Sequence, residues 1–316
     1  YDVVLNRNNY LDTIVSKNDK RTHQFILPQF QAKYSFPNDF NLRAAVTYTF
    51  SRPNLEDVLP YREQERDAVK YGNPDLKFPR SLNIDLLAEK YLSHNGIISG
   101  GVYFKKIDHF VTYYTIFAHE DTITNPLVEI TTAMNGNNAF VVGSEIQGQF
   151  KLDFLPGFLS NFGIFSNYTY TYSEAYIQKR LPANYSDLVV KIDDSGFEFL
   201  ASDDEEEKIS MPGQAKHTGN NALYYETNKF YVKLSANYND AFLSQLGGDK
   251  DQDEYYDEPW HLDFNAISNV KGNFKIFSDV VNLTNTPLSY YLGTPEYVKQ
   301  SEYYSWWCRL GIKLTL

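Results

Sequence analysis

Apolar and polar residues alternate with a period of two along most of this chain, and the alternation runs for long stretches. In Leu42 to Phe50 the even positions are Leu42, Ala44, Val46, Tyr48 and Phe50, and the odd ones are Arg43, Ala45, Thr47 and Thr49. Successive side chains of a strand point to opposite faces, so this segment reads as a strand with one apolar and one polar face. Phe230 to Asn239 repeats the pattern, with Phe230, Val232, Leu234, Ala236 and Tyr238 on one side. The chain end is the clearest case: Tyr304, Trp306, Cys308, Leu310, Ile312, Leu314 and Leu316 share one parity. Leu82 to Leu92, Val142 to Leu152, Phe162 to Tyr172 and Leu262 to Val270 read the same way, while Phe274 to Asn285 has polar residues on both parities.

The connections alternate too. Short turns fall at Phe36 to Phe40 (FPNDF), Leu92 to Gly96, Leu155 to Asn161 (LPGFLSN), Glu226 to Lys229 and Val270 to Asn273. Each carries the Pro, Gly, Asn or Asp that hairpin turns use. Between them lie long polar connections at Ser51 to Pro79, Ala118 to Pro126, Tyr176 to Gly213, Ser244 to Pro259 and Gly293 to Gln300. Strands running up and down through a slab would give this rhythm, with all the long connections at one end.

A soluble β-sandwich also has alternating strands and turns. Three features favour a membrane barrel instead. The strands are long, where soluble ones average roughly five or six residues. Aromatics gather near strand ends, as in Tyr168, Tyr170 and Tyr172, or Tyr303, Tyr304, Trp306 and Trp307; such girdles sit at membrane interfaces. Finally, long and short connections segregate strictly. No apolar run approaches the roughly 18 residues of a transmembrane helix, and a barrel needs none. The expected fold is an all-β, antiparallel transmembrane β-barrel wall of about eleven strands, with the even positions of most strands facing lipid. The rival, from another class, is a soluble extracellular adhesin or carbohydrate-binding module built as a β-sandwich.

The net charge of −11 is opposite in sign to that of a nucleic-acid binder. Two segments carry most of it. Tyr176 to Gly213 holds nine Asp/Glu against four Lys/Arg, and Ser244 to Trp260 holds six against one. Enzyme signatures are missing: the six His show no metal-binding spacing, and no GxSxG, Walker loop or dinucleotide fingerprint occurs. With one Cys, a disulfide framework is excluded. Cys308 lies on the lipid-facing parity as a small apolar filler. Tyr1 opens in mid-phrase, as in a fragment or processed product, so a missing leader says nothing about export.

An ordered series of stretches resembles a known family: FNLRAAVTYTFSRPNLEDVLPY, GNPDLKFPRSLNIDLLAEKY, GGVYFKKIDHFV, GSEIQGQFKLDFLPGFLSNFGIFSNYTYTYSEA, MPGQAKHTGNNALYYE, FSDVVNLTNTPLSYYLG and SEYYSWWCRLGIKLTL. From about Phe25 onward the chain resembles the C-terminal barrel half of TonB-dependent outer-membrane receptors. Its LPG turn and YYLG loop look like the Bacteroidetes type. The resemblance implies an active transporter of the bacterial outer membrane, importing a scarce ligand such as a siderophore, cofactor, peptide or glycan. It implies a 22-stranded barrel, of which this is half, and a plug that reaches the TonB complex and is absent here. It also implies lipid or lipopolysaccharide as surroundings and leaves room for a surface lipoprotein. Residues 1–23 then end an extracellular loop or strand, and residues 24–316 are barrel. The terminal Leu316 departs from the aromatic usual in outer-membrane proteins.

Three constellations are candidates for binding. Loop aromatics Tyr61, Tyr71, Tyr185, Phe197, Phe199, Tyr255, Tyr256 and Tyr297 have faces that stack on a sugar or a catecholate, or pack the loops. In GDKDQDEYYDE, Asp249, Asp251 and Asp253 have the spacing that opens a calcium loop. Glu254 and Trp260 occupy the places of the required Gly and Glu, so only a looser Ca²⁺ site with Asp257 remains, the sole cofactor expected. The acidic run Ala201 to Lys208 reads as a solvated loop tip. On the polar parity, Arg43, Thr47, Asn83, Asp85, Glu89, Lys233, Asn237, Asp263, Arg309 and Lys313 would face a hydrated lumen.

Overall fold

The structure, a computed structural model, describes residues 23–59, 61–65, 68–92, 96–120, 124–180, 189–190, 192–193, 196–197, 201–257, 260–271 and 274–314. Of the expected loop or strand end at residues 1–23, residues 1–22 lie outside them.

Eleven strands form one antiparallel wall in chain order. They are β1 (Gln29–Phe36), β2 (Phe40–Phe50), β3 (Arg80–Tyr91), β4 (Ile97–Asp108), β5 (Asn138–Lys151), β6 (Phe162–Arg180), β7 (His217–Glu226), β8 (Phe230–Asn239), β9 (Trp260–Lys271), β10 (Phe274–Val281) and β11 (Trp307–Leu314). Short turns join β1 to β2, β3 to β4, β5 to β6, β7 to β8 and β9 to β10, all at one end; long connections leave the other end. In the first turn Asn38 and Asp39 take left-handed φ values of 65° and 57°, which these residue types tolerate. Among the described residues β1 and β11 do not pair with each other, so the wall is an open sheet.

Register turns the alternation into rows across the wall. Phe30 stands opposite Val46, Val46 opposite Ile84, Ile84 opposite Phe104, Phe104 opposite Val142 and Val142 opposite Tyr172. Leu223, Leu234, Phe264, Val280 and Cys308 form a similar row in the later strands. This face is apolar and uncovered: Val46, Ile84, Val102, Val142, Leu234 and Leu310 are all exposed. A sandwich would bury such a face under a second sheet, and no sheet covers it among the described residues.

The opposite face is polar and bonded to itself. Arg43 Nε donates to Glu89 at 2.8 Å, Asn83 Nδ2 to Thr49 Oγ1 at 3.1 Å, and Arg309 Nη2 to Asp279 at 2.6 Å. A row of Lys233, Asn265, Asp279 and Arg309 crosses β8 to β11, as the parity requires. Aromatic rings on this face lie over glycines. A Cβ on Gly143 would meet the Tyr103 ring at 2.4 Å, and the Tyr103 hydroxyl bonds Thr171 Oγ1 at 2.6 Å.

The long connections depart from expectation, because they fold. Strands Arg62–Glu65, Ala68–Tyr71, Val111–Glu120, Leu127–Asn135 and Val189–Val190 make a five-stranded sheet. Strands Phe242–Gln245, Glu254–Asp257, Leu288–Leu292 and Val298–Glu302 make a four-stranded one. The two meet where Thr115 N donates to Leu246 O and Leu246 N to Tyr113 O, at 2.8 and 3.1 Å. Together they cap the long-connection end. The acidic run also differs from a loop tip: Ala201–Ile209 is a strand paired with the upper end of β6. The expected strand from Tyr303 begins later, at Trp307, because a hairpin occupies Leu288 to Glu302.

The buried core lies in this cap. Phe110, Tyr114, Leu243 and Leu246 pack on Ala139, Ala175 and Ile177 of the inner wall. A second cluster, Val69, Tyr71, Ile116, Ala118, Val128 and Ile130, fills the five-stranded sheet.

Candidate functional site: the mouth of the barrel

A pocket of about 420 Å³ opens between the cap and the inner upper wall. Thr49 comes from the end of β2, Ser51, Arg52 and Asn54 from the segment after it, and Tyr113 and Met211 from the cap. Pro53 and Asn54 end the strand and start a single helical turn, Leu55–Val58. The Asn54 side chain makes no helix cap; its Nδ2 donates instead to the Tyr113 hydroxyl at 3.2 Å. Tyr113 in turn donates to Asp57 Oδ2 at 2.8 Å. Asp57 is almost fully buried, and its carbonyl accepts from Asn73 N at 2.7 Å. Burial, and then the bond to Asp57, pushes the Tyr113 phenol up. Burial opposes the Lys70 charge next door, but Tyr61 and the Asp57 carboxylate hold its pKa above the ordinary lysine value. The pocket is therefore lined by two arginines, Arg52 and Arg80, an amide and a neutral phenol.

Deeper in the cap, Arg180 at the tip of β6 ties three elements together. Its Nη1 donates to Asp253 Oδ1 at 2.5 Å and to Gly247 O at 2.9 Å, and its Nη2 donates to Glu207 Oε1 at 2.6 Å. Side-chain exposures of 3% for Arg180 and 5% for Asp253 leave no room for water to replace these bonds. Burial raises the Asp253 carboxyl, against the pull of Arg180. Burial also opposes the Glu207 charge, but there the bonds and charge of Arg180 win and its pKa is lowered.

The candidates from the sequence scatter. Asp253 is held by Arg180, and Asp249 accepts from Asp251 N and Gln252 N, capping the turn that follows it. Asp257 sits on the next strand, its carboxyl raised by burial. Among the described residues no group of three or more His, Cys, Asp or Glu is placed to hold a metal ion. Tyr71 is buried, donates to Glu120 and accepts from Arg62 Nε at 3.1 Å. Tyr61 lies beside Lys70, away from the pocket lining. Tyr255 and Tyr256 are brought together with Tyr291 and Tyr290: the first pair stacks at 5.1 Å and 7°, the second meets edge-on at 5.4 Å. Tyr297 is exposed. Tyr185, Phe199 and the Phe197 side chain lie outside the description. Arg52, Asn54, Asp57, Tyr113 and Arg180 were not singled out from sequence, since nothing in one chain marks which loop residues meet.

An up-and-down wall, apolar outside and polar inside, with short turns at one end and folded long loops at the other, defines an outer-membrane β-barrel. The family model described as TonB dependent receptor-like, beta-barrel, matches residues 1–293. The chain belongs to that family, whose barrels lie in the bacterial outer membrane. A comparison with curated proteins found no match. Similar solved structures include a variant of the ferric enterobactin receptor PfeA of Pseudomonas aeruginosa, with 14% identity over 83% of this chain and 35% of that one, TM-score 0.52. The ferric-catecholate import receptor Fiu of E. coli K12 shares 13% over 90% and 34%, TM-score 0.55. The siderophore receptor PiuA of Acinetobacter baumannii shares 11% over 90% and 35%, TM-score 0.52. At these identities the likeness is one of fold. The chain spans about a third of the length of these receptors.

Proposed function

We propose that this chain forms the C-terminal half of the barrel of an active outer-membrane importer, driven by the TonB complex through a plug held in the lumen. The open wall with two unpaired edges carries this reading. Backbone groups left unpaired in lipid cost several kcal/mol each, so β1 and β11 pair with strands from outside these residues. The polar inner face suits contact with a plug. The mouth pocket, bordered by Arg52, Asn54 and Tyr113, receives the ligand before transport.

The ligand is a ferric siderophore, the class that the structurally similar receptors are named for. The aromatic layer of Tyr255, Tyr256, Tyr290 and Tyr291 offers faces for a planar catecholate. A glycan would use the same faces, and the Bacteroidetes-type turns keep that second reading in view. The test is growth of a receptor-deleted strain on ferric siderophore as its iron source, restored by the full-length gene. Arg52→Ala with Tyr113→Phe should reduce uptake while leaving barrel assembly intact. Restoration in a strain lacking TonB, or iron uptake indifferent to the receptor, would overturn the proposal.

A further inference from the structure

On the inner wall, away from the mouth, a pocket of about 470 Å³ lies across β8 to β11. It shares no lining residue with the mouth pocket. Register places its side chains in three rows. Lys233, Asn265, Asp279 and Arg309 form the upper one. Two residues nearer the short-turn end lie Tyr231, Ile267, Phe277 and Gly311; two residues further on, Lys275 stands directly opposite Lys313. At roughly 3.4 Å per residue and 4.8 Å per strand, the four cations frame an area about 14 Å on a side, with Tyr231, Ile267 and Phe277 as its floor.

The charges in this frame do not cancel. Lys233, Lys275, Arg309 and Lys313 face a single acid, Asp279, in a chain whose net charge is −11. Both oxygens of that acid are already taken. Oδ2 accepts from Arg309 Nη2 at 2.6 Å and Nε at 3.1 Å, and Oδ1 accepts from Asn265 Nδ2 at 3.0 Å. Lys233, Lys275 and Lys313 have no ion pair among the described residues. Like charges directly opposite on neighbouring strands destabilise the pairing, and nothing on the wall offsets the repulsion between Lys275 and Lys313. The floor between the cations is fixed in place. The Phe277 ring lies over Gly311, where a Cβ would meet it at 2.4 Å, and the Arg309 guanidinium stands 5.6 Å from the centre of that ring.

We propose that this pocket is an anion-binding site of the lumen, below the mouth, for a compact polyanion with a flat apolar face. Lys233, Lys275 and Lys313 bind its anionic oxygens, and the flat face rests on Phe277 and Tyr231. Lysine gives charge-assisted donors to such oxygens. An anion between Lys275 and Lys313 also relieves their repulsion, and a concave wall lined by one sign of charge raises the local concentration of the opposite sign. The inference rests on the importer reading, to which it adds a second binding place on the way through the lumen, on the β8 to β11 side.

The full-length receptor, purified in detergent, is treated with a lysine-acylating reagent alone, with trimesate (a flat aromatic tricarboxylate), or with the uncharged trimesamide. Labelling is then read lysine by lysine by mass spectrometry. Trimesate should strip Lys233, Lys275 and Lys313 of most of their labelling, leave Lys77 and Lys229 unchanged, and lose its effect in about 1 M salt. Trimesamide should protect none of them. In Lys275→Gln/Lys313→Gln the protection of Lys233 should disappear. Native lysines that label equally with and without trimesate, a result that needs no variant to fold, would overturn the proposal. So would equal protection by trimesamide. Lysines that stay unlabelled without any ligand would overturn it too, because an acidic stretch of the polypeptide would then already fill the site. Growth on ferric siderophore decides the importer reading separately: protection without growth keeps the site and sinks the importer, and growth without protection does the reverse.

Discussion

The wall and the cap are both made of antiparallel strands, yet they are stabilised by different means. In the wall each strand from β2 to β10 is held by two neighbours, one face is meant for lipid, and the other is a polar surface bonded laterally. It has little apolar core of its own: the wall residues Ala139, Ala175 and Ile177, at 0% exposure, are buried under the cap. The cap behaves as a small soluble domain, with Ile130, Leu246 and Ala118 at 0% exposure. The same chain therefore uses backbone pairing in lipid at one end and apolar burial from water at the other. Perturbations should separate the two.

The largest separation is expected at Arg180. Its removal in Arg180→Ala leaves the Asp253 carboxylate buried without its ion-pair partner, with only the Gly247 N–H still donating to it, which costs about 3–5 kcal/mol. The loss should fall on the cap alone. Amides of Leu243 to Asp257 should exchange faster, while the barrel keeps its heat-modifiable mobility on gels. Loss of the barrel along with the cap would show the two to be one folding unit.

A matched pair sharpens the contrast. Ile130→Ala in the cap core should cost about 2–5 kcal/mol, through lost burial and the cavity left behind. Ile84→Ala, the same side-chain truncation on the lipid face, should cost far less, because lipid or detergent fills the space. Equal losses by chemical denaturation would mean that the outer face packs against protein. Next in size, Leu234→Arg in the middle of β8 places a charge at membrane depth, at about 2–4 kcal/mol near the midplane. Reduced assembly into membranes with an intact cap is the expected result, and unchanged assembly would argue for the opposite parity.

How far the sequence could be read follows the same division. The wall was legible because lipid favours apolar residues on the outward face at membrane depth, so parity shows directly in Leu42 to Phe50 and Phe230 to Asn239. The turns at FPNDF and LPGFLSN were legible for chemical reasons. The cap was not. Val111 to Glu120 is buried at alternate positions, but its sequence, VTYYTIFAHE, mixes Thr and Tyr on both faces and so resembles polar connection. The site depends on pairings such as Asn54 with Tyr113 and Arg180 with Asp253, separated by 59 and 73 residues. No local pattern reports them. The spacing of Asp249, Asp251 and Asp253 likewise does not report that the Asp253 carboxylate accepts from an arginine of β6.

The smallest expected effect is on pH, and it again distinguishes the cap from the wall. At the edge of the five-stranded sheet, Arg62 donates to Glu120 through Nε at 2.8 Å and Nη2 at 2.5 Å, and the Tyr71 hydroxyl donates to the same carboxylate. Burial opposes the Glu120 charge, but these donors hold its pKa below the ordinary glutamate value of 4.5. A carboxylate with a lowered folded-state pKa contributes stability that is complete above about 4.5 and lost as pH falls through the folded value. Glu207 adds to this in the same direction. Asp253, raised by burial, runs the other way, because its folded form takes up a proton before the unfolded one does. Glu120 stands apart from that coupled group and so gives the cleaner reading. Amide exchange of the Val111–Glu120 strand, corrected for intrinsic rates, should accelerate as pH falls below 4.5. In Glu120→Gln it should already be faster at pH 6 and change less on acidification. The wall strands β8 to β10 should show no such step. An acid response in the wall as large as that in the hairpin would mean that cap and wall do not open separately.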